Sequence, residues 1–69
     1  MTPAQCRAAR ALLRWTVRQL AANASVSPSS VVKFEGGELE VRVGTVLLMQ
    51  RALEDGGVVF LENSGVALR

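Results

Sequence analysis

The first third of the chain places apolar residues at helical spacing behind a helix-start signal. The stretch from Thr2 to Gln5 combines a capping hydroxyl, proline at the first helical position and glutamine at the third. This signal predicts a first helix from about Pro3 to Arg14, with Arg7 and Arg14 on its wetter flanks. Its inward stripe is predicted to contain Cys6, Ala9, Leu12 and Leu13.

The same threonine-to-glutamine signal returns fourteen residues later, at Thr16 and Gln19. It predicts a short second helix, and helical spacing assigns its buried side to Leu20, Ala21 and Ala24. Trp15 lies at the joint between the first two helices and is predicted to belong to the core.

A third start follows at Ser27, a hydroxyl cap, and Pro28, whose missing N–H costs nothing at the first helical position. The third helix is predicted from Ser29 to about Glu35, where the glycine pair 36–37 ends it. Spacing points two residues inward, Val31 and Phe34, and leaves Val32 and Lys33 exposed.

The last part of the chain changes from helical to strand periodicity. Residues 38–42 are predicted as a loop, and a fourth helix is predicted from about Val43 to Glu54, ending at the glycine pair 56–57. The β-branched and aromatic run 58–61, the turn residues 62–65 and the apolar run 66–68 predict a C-terminal hairpin within residues 58–69.

Length and hydrophobicity narrow the class of protein. The chain has 69 residues and 49% hydrophobic residues, so we expect a single folded domain in which nearly every element contributes to one core. The strongly apolar run from Val46 to Met49 is too short to cross a membrane, and the first residues lack a secretory pattern. We therefore expect a soluble, cytoplasmic protein with no membrane partner.

The residue types argue against an enzyme or a metal protein. The chain has no histidine and one cysteine, which excludes an internal disulfide and a Cys/His metal cluster, and no cofactor is predicted. No serine has a histidine to activate it, no carboxylate pair lies in an apolar frame, and no glycine pair follows a strand into a phosphate loop. No small-molecule substrate is evident. Cys6 is interpreted as a small buried hydrophobe, with a reactive thiol as the alternative.

Charge is distributed unevenly along the chain. Residues 1–34 contain four arginines, one lysine and no acid, a formal charge of +5, whereas residues 35–69 contain three arginines and six acids, a formal charge of −3. A domain with one basic part suits a polyanion such as nucleic acid. A solvated arginine face that keeps the protein in solution is the alternative.

The second and third predicted helices are joined by only four residues, 23–26, so they must cross steeply, as in a helix-turn-helix. The sequence TVRQLAANASVSPSSVVKFEGG, residues 16–37, resembles the Cro and phage-repressor-like (Xre) helix-turn-helix family, with the helix-turn-helix itself at residues 16–36, and the likeness extends to about residues 5–55. It rests on small Ala21 between the two helices, on Glu35 before glycine and on apolar Leu20, Val26, Val31 and Phe34. The predicted fold class is mainly α: a small four-helix, lambda-repressor-like domain with a C-terminal β-hairpin.

The resemblance implies roles for three groups of residues. Base edges in the major groove would be faced by Ser27, Pro28, Ser29, Val32 and Lys33. Backbone phosphates would be met by Thr16, Val17, Arg18, Ser30 and Arg42. A structural ion pair between Arg10 and Glu35 would hold the recognition helix in place.

The chain departs from the family pattern in three places. Ser25 occupies the turn position where glycine is usual, at a cost of about 1 kcal/mol for a left-handed backbone. Family members often have glutamine at the positions of Val17 and Pro28, so base recognition is left to Lys33 and small hydroxyls. The loop after the third helix, often basic in the family, contains Glu38 and Glu40.

Weak contacts by one domain are commonly doubled in a symmetric dimer, so we expect a homodimer. The apolar run 46–49 wraps around more than one helix face, and the outer hairpin strand can pair with a second copy. The predicted dimer interface contains Leu48, Met49, Val59, Leu61, Val66 and Leu68. The alternative is that these residues form no dimer interface, because so small a domain needs all of them in its own core.

The sequence therefore predicts a sequence-specific regulator, a repressor, that binds double-stranded DNA as a homodimer. The alternative is an antitoxin-like or adaptor module that keeps the helix-turn-helix scaffold and binds another protein. The missing glutamines and the acidic loop favour this alternative.

Overall fold

The computed structural model describes residues 1–69 and consists of four helices followed by an antiparallel hairpin. The elements are α1 (Pro3–Leu13), α2 (Val17–Ala24), α3 (Pro28–Glu35), α4 (Val43–Asp55), β1 (Val58–Phe60) and β2 (Val66–Leu68). The predicted mainly α fold class, four helices with a C-terminal hairpin, is confirmed. None of the helices has the length and apolar character that crossing a membrane requires.

The first two helices begin with the reciprocal caps that the sequence predicts. The Thr2 hydroxyl accepts a hydrogen bond from the Gln5 amide at 3.1 Å, and the Gln5 side chain accepts one from the Thr2 amide at 2.8 Å. Thr16 and Gln19 repeat both bonds at 3.1 and 2.8 Å. Each cap satisfies two amides that a helix start otherwise leaves without partners.

Two helices end at residues with a left-handed backbone, although neither residue is glycine. Arg14 (φ 57°) is the C-cap of α1, so the helix ends at Leu13, one residue before the predicted end. Ser25 (φ 58°) is the C-cap of α2. The left-handed conformation expected at Ser25 is therefore present, and it turns the chain sharply from α2 into α3. The start of α3 lies at Pro28, one residue before the predicted Ser29, and α4 extends one residue past Glu54.

One hydrophobic core joins all the helices to β1. It contains Cys6, Ala9, Leu20, Ala21, Ala24, Val31, Phe34, Met49, Ala52, Leu53 and Val58. Trp15, predicted as core, is half-buried and packs against this cluster. Because the core takes residues from both ends of the chain, folding of the helices and docking of the hairpin are coupled.

The predicted inward stripe of α1 needs one correction. Leu12 is 39% exposed, whereas Cys6 and Ala9 are fully buried and Leu13 is half-buried. Helical spacing does not separate Leu12 from the core side, because Leu12 lies seven residues from buried Gln5 and therefore on nearly the same side of α1. The two positions differ along the helix axis instead: Gln5, in the first turn, is hydrogen-bonded to the hairpin, whereas Leu12 lies in the last turn.

The hairpin pairs Val58 with Leu68, Val59 with Ala67 and Phe60 with Val66. Asn63 and Ser64 both have a left-handed backbone at its tip. The Gln5 side-chain amide donates to the carbonyl oxygens of Leu61 (3.3 Å) and Gly65 (3.1 Å), which ties the hairpin to α1.

Candidate nucleic-acid interface

The candidate interface is built on α2, the turn 25–27 and α3. The two helices pack against each other, and buried Ala21 in α2 and Val31 in α3 belong to the same core cluster. The Val26 amide donates to the carbonyl of Ala21 at 3.0 Å, which fixes the turn against α2. The path of the chain from α2 into α3 is thus held by the backbone and by the core.

The first turn of α3 is open to solvent. All five residues predicted to face bases are exposed: Ser27, Pro28, Ser29, Val32 and Lys33. The hairpin packs against α1 and α4 and leaves this turn uncovered. The Ser27 hydroxyl accepts from the Ser30 amide at 3.1 Å and lies 2.9 Å from the Ser30 hydroxyl, so the cap itself is ordered.

At the start of α2, backbone amides are better placed than the Val17 side chain to contact a phosphate. Thr16 and Arg18 are exposed, whereas the Val17 side chain is half-buried against the core. A phosphate contact by Val17 therefore has to use its backbone amide. The Thr16 hydroxyl accepts the capping bond from Gln19, which leaves it its own O–H to donate.

Lys33 and two of the predicted phosphate contacts meet in one cleft between α3 and the start of α4. The cleft has a volume of about 320 Å³ and is lined by Ser30, Lys33, Glu40, Val41, Arg42 and Thr45. Arg42 is the N-cap of α4, and its side chain makes no capping hydrogen bond. The cleft combines two cations, two hydroxyls and one acid, so its formal charge is positive.

The predicted ion pair is present, and it fastens the end of α3 to α1. Arg10 Nε donates to Glu35 Oε2 and Arg10 Nη2 to Glu35 Oε1, each at 2.7 Å. The Cys6 thiol donates to Glu35 Oε2 at 3.3 Å, and Arg7 donates to the Glu35 carbonyl oxygen. Glu35 is buried at the C-terminal end of α3, and its carboxylate accepts hydrogen bonds from three side-chain atoms, two of Arg10 and one of Cys6.

The surroundings shift the pKa values of this cluster. Burial alone raises the pKa of Glu35, but the hydrogen bonds from Arg10 and Cys6 outweigh it and hold the pKa below its usual value. The hydrogen bond to Glu35 raises the pKa of Arg10. Burial, followed by the bond to Glu35, raises the pKa of the Cys6 thiol to about 12. Cys6 is therefore a protonated donor within the cluster, not simply an apolar filler.

The predicted dimer interface is only partly available. Leu48, Val59, Leu61 and Leu68 are exposed, and Val66 is half-buried against the core. The prediction is wrong for Met49, which is fully buried within the monomer. Met49 is three and four residues from Ala52 and Leu53 and shares their inward side of α4, opposite the exposed side.

Three residues of the site, Cys6, Arg7 and Glu40, have contacts or positions that were not predicted from the sequence. The Cys6 bond to Glu35 and the Arg7 bond to its carbonyl depend on how α1 crosses the end of α3, which no local pattern encodes. Glu40 lines the cleft beside Lys33. From the sequence, the acidic loop predicts only that it repels phosphate, not that Glu40 lies in this cleft.

No protein-family model matches the chain, and no curated protein matches it. Membership of the Cro-like family stays a prediction from the residues.

Proposed function

We propose that this chain is a cytoplasmic transcriptional regulator, a repressor, which binds double-stranded DNA in a sequence-specific manner as a homodimer. The observation that carries the proposal is the exposed first turn of α3 on a helix whose other side is fixed in the core. A rigid, protruding helix start of this kind fits the major groove of duplex DNA.

The charges around this turn support a polyanionic partner. Arg18, Lys33 and Arg42 are exposed, and the amides of Val17 and Arg18, in the first turn of α2, are of the kind that binds a phosphate at a helix start. Glu38 and Glu40 oppose this attraction, so the affinity of a single domain is low and the homodimer supplies the rest.

Sequence recognition in this proposal relies on few groups. Lys33 donates to guanine O6 or N7, and the hydroxyls of Ser27 and Ser29 exchange hydrogen bonds with neighbouring base edges. Val32 offers an apolar contact to a thymine methyl group. A bound dimer of this kind represses by occupying its site, without contacting the transcription machinery.

Selection of bound fragments from a random duplex library tests the proposal directly. We expect enrichment of two half-sites related by twofold symmetry, with centres about one helical turn apart. Enrichment should be lost with Lys33→Ala. It should be kept with Arg69→Ala, which removes a cation that follows β2 and donates to the Glu54 carbonyl. Failure to enrich any sequence would contradict sequence-specific binding.

A second candidate, a protein-binding adaptor, is favoured by one specific observation. Leu39 is 98% exposed between Glu38 and Glu40, in the loop that follows α3. A leucine so exposed between two acids suits a basic protein surface with an apolar pocket. The adaptor predicts a stoichiometric complex with one polypeptide, lost with Leu39→Gln, and no duplex binding at low salt.

A further inference from the structure

A second cavity lies where α2 and α4 end, beside the joint between α1 and α2. It has a volume of about 320 Å³, and its lining residues define the indole pocket: Trp15, Asn23, Ala52, Asp55 and Gly56. Small-molecule sites begin at about 300 Å³. None of the residues predicted to contact DNA lines this pocket, so it is separate from the candidate interface.

Trp15 forms a wall of the pocket that is already in place. A Cβ atom added to Gly56 would lie 3.0 Å from Cζ2 and Cη2 of Trp15 and 2.9 Å from Cδ1 of Leu13. Carbon atoms pack at about 3.5 Å or more, so only glycine lets the indole ring lie against the end of α4. Trp15 is half-buried and also packs against the core cluster, which holds the ring in position.

Two polar side chains of the pocket have no partner within the chain. Asn23 and Asp55 are both exposed, and neither takes part in a side-chain hydrogen bond or in the one ion pair of the structure. The carboxylate can therefore accept hydrogen bonds from a ligand, and the amide oxygen of Asn23 can accept one more.

The charge of the pocket favours a cation. Asn23 lies in the last turn of α2 and Asp55 in the last turn of α4, and neither helix has a basic residue in its last turn. The C-terminal end of a helix has a partial negative charge, to which Asp55 adds a full one. Arg69 donates to the Glu54 carbonyl at 3.0 Å, but it does not line the pocket, which contains no cation of its own.

We propose that the indole pocket binds a guanidinium group on a short apolar stem. A guanidinium group is planar, so it stacks on an indole ring while it donates two parallel hydrogen bonds to a carboxylate. Trp15 and Asp55 supply these two partners, and Asn23 accepts from a remaining N–H. A lysine-like ammonium group matches the charge but neither the stacking nor the paired bonds.

The same group can be part of a free small molecule or of an arginine in another polypeptide. The pocket lies at the C-terminal end of α2, whereas the predicted phosphate contacts of Thr16, Val17 and Arg18 lie at its N-terminal end. The inference therefore goes beyond the proposed function and does not depend on DNA.

A fluorescence titration of the whole chain tests the proposal. Trp15 is the only tryptophan and the chain has no tyrosine, so the emission reports on this pocket alone. We expect butylguanidinium to change the emission saturably, with a millimolar dissociation constant. Butylurea, a neutral molecule of the same shape, should cause no saturable change. The NMR shift of the Trp15 indole N–H is a second readout of the same binding.

A matched pair of variants tests the role of the carboxylate. Asp55→Asn should weaken butylguanidinium binding about tenfold, because it removes the charge that accepts the paired bonds. Glu54→Gln removes the same charge from the neighbouring exposed residue, outside the pocket, and should change binding by less than about twofold. Circular dichroism confirms that both variants keep their helices.

A second ligand distinguishes the two sources of the group. N-acetyl-arginine methylamide represents an arginine within a polypeptide, and tighter binding than butylguanidinium identifies a polypeptide as the source. Equal or weaker binding identifies a free small molecule.

Three outcomes overturn the proposal: neither guanidinium compound binds, butylurea binds as well as butylguanidinium, or Asp55→Asn weakens binding no more than Glu54→Gln does. Such a failure leaves DNA binding by α3 unaffected. Conversely, a chain that binds butylguanidinium but no duplex overturns the proposed function alone.

Discussion

Arg10 and Glu35 form a two-bond ion pair, with both nitrogen-to-oxygen distances at 2.7 Å. Their side chains are 22% and 8% exposed, so the pair is largely withdrawn from water. Arg10 also donates to the carbonyl of Trp15 at 3.0 Å. One guanidinium group thus connects α1, the joint before α2 and the last residue of α3, and it fixes the orientation of the candidate recognition helix.

Arg10→Ala should destabilise the protein by about 3 kcal/mol, because it leaves the buried Glu35 carboxylate without its main partner. Urea unfolding near neutral pH measures this loss. Arg7→Ala is the control, since it removes a donor to the Glu35 backbone carbonyl and a weaker charge interaction with its carboxylate, and it should cost about 1 kcal/mol. Equal losses in the two variants would contradict the central role of the Arg10 pair.

The stability that the ion pair supplies should depend on pH. The folded-state pKa of Glu35 is lowered, so its contribution is present above the unfolded pKa of about 4.3 and is lost as the pH falls through the folded pKa. The difference in unfolding free energy between wild type and Arg10→Ala should therefore shrink in acid. A difference that is constant down to strongly acidic pH would show that Glu35 is not responsible.

Cys6 should make the protein sensitive to alkali. Its pKa is raised from 9.0 to about 12 on folding, so its stabilising effect is complete below pH 9.0 and declines as the pH rises towards 12. The chain has no tyrosine, which leaves the thiolate absorbance easy to follow in a pH titration. Cys6→Ser keeps a hydroxyl donor to Glu35 and should abolish this decline. An alkaline loss of stability unchanged in Cys6→Ser would contradict the assignment.

Gln5 and Gln19 form a natural comparison, because both complete a capping box but only Gln5 also holds the hairpin. Gln5→Ala should cost about 1.5 kcal/mol more than Gln19→Ala, the contribution of two further hydrogen bonds. Thermal unfolding of both variants gives the difference. Hydrogen exchange of the Val59 and Ala67 amides, which pair across the hairpin, should accelerate in Gln5→Ala alone, and equal acceleration in Gln19→Ala would contradict the anchoring role.

The local signals in the sequence were sufficient for the helices and the hairpin. Capping residues at Thr2, Thr16 and Ser27 determine where three helices begin, because they satisfy specific backbone amides. The two errors have different causes. The burial of Met49 depends on the rotation of α4 about its axis, and the apolar residues beside it leave that rotation ambiguous. The exposure of Leu12 depends on how far along α1 the other elements cover the helix, which its spacing does not encode.

Some features of the candidate site could also be predicted from the sequence, and others could not. The exposure of the first turn of α3 follows from helical spacing, and the Arg10 and Glu35 pair follows from the resemblance. The cleft that brings Ser30, Glu40 and Arg42 together depends on the path of the loop between α3 and α4. No periodic pattern exists in that loop, so its tertiary arrangement was not predictable from the residues.

Duplex binding measured across a range of salt concentrations is the sharpest test of DNA binding by α3. We expect affinity to fall steeply as salt rises, and we expect Lys33→Ala and Arg18→Ala each to reduce the slope of log affinity against log salt by about one unit. Arg69→Ala removes a guanidinium that donates to the Glu54 carbonyl, and it should leave the slope unchanged. Undetectable duplex binding at low salt, or the same slope in the wild type and all three variants, would show that α3 and the start of α2 do not bind DNA.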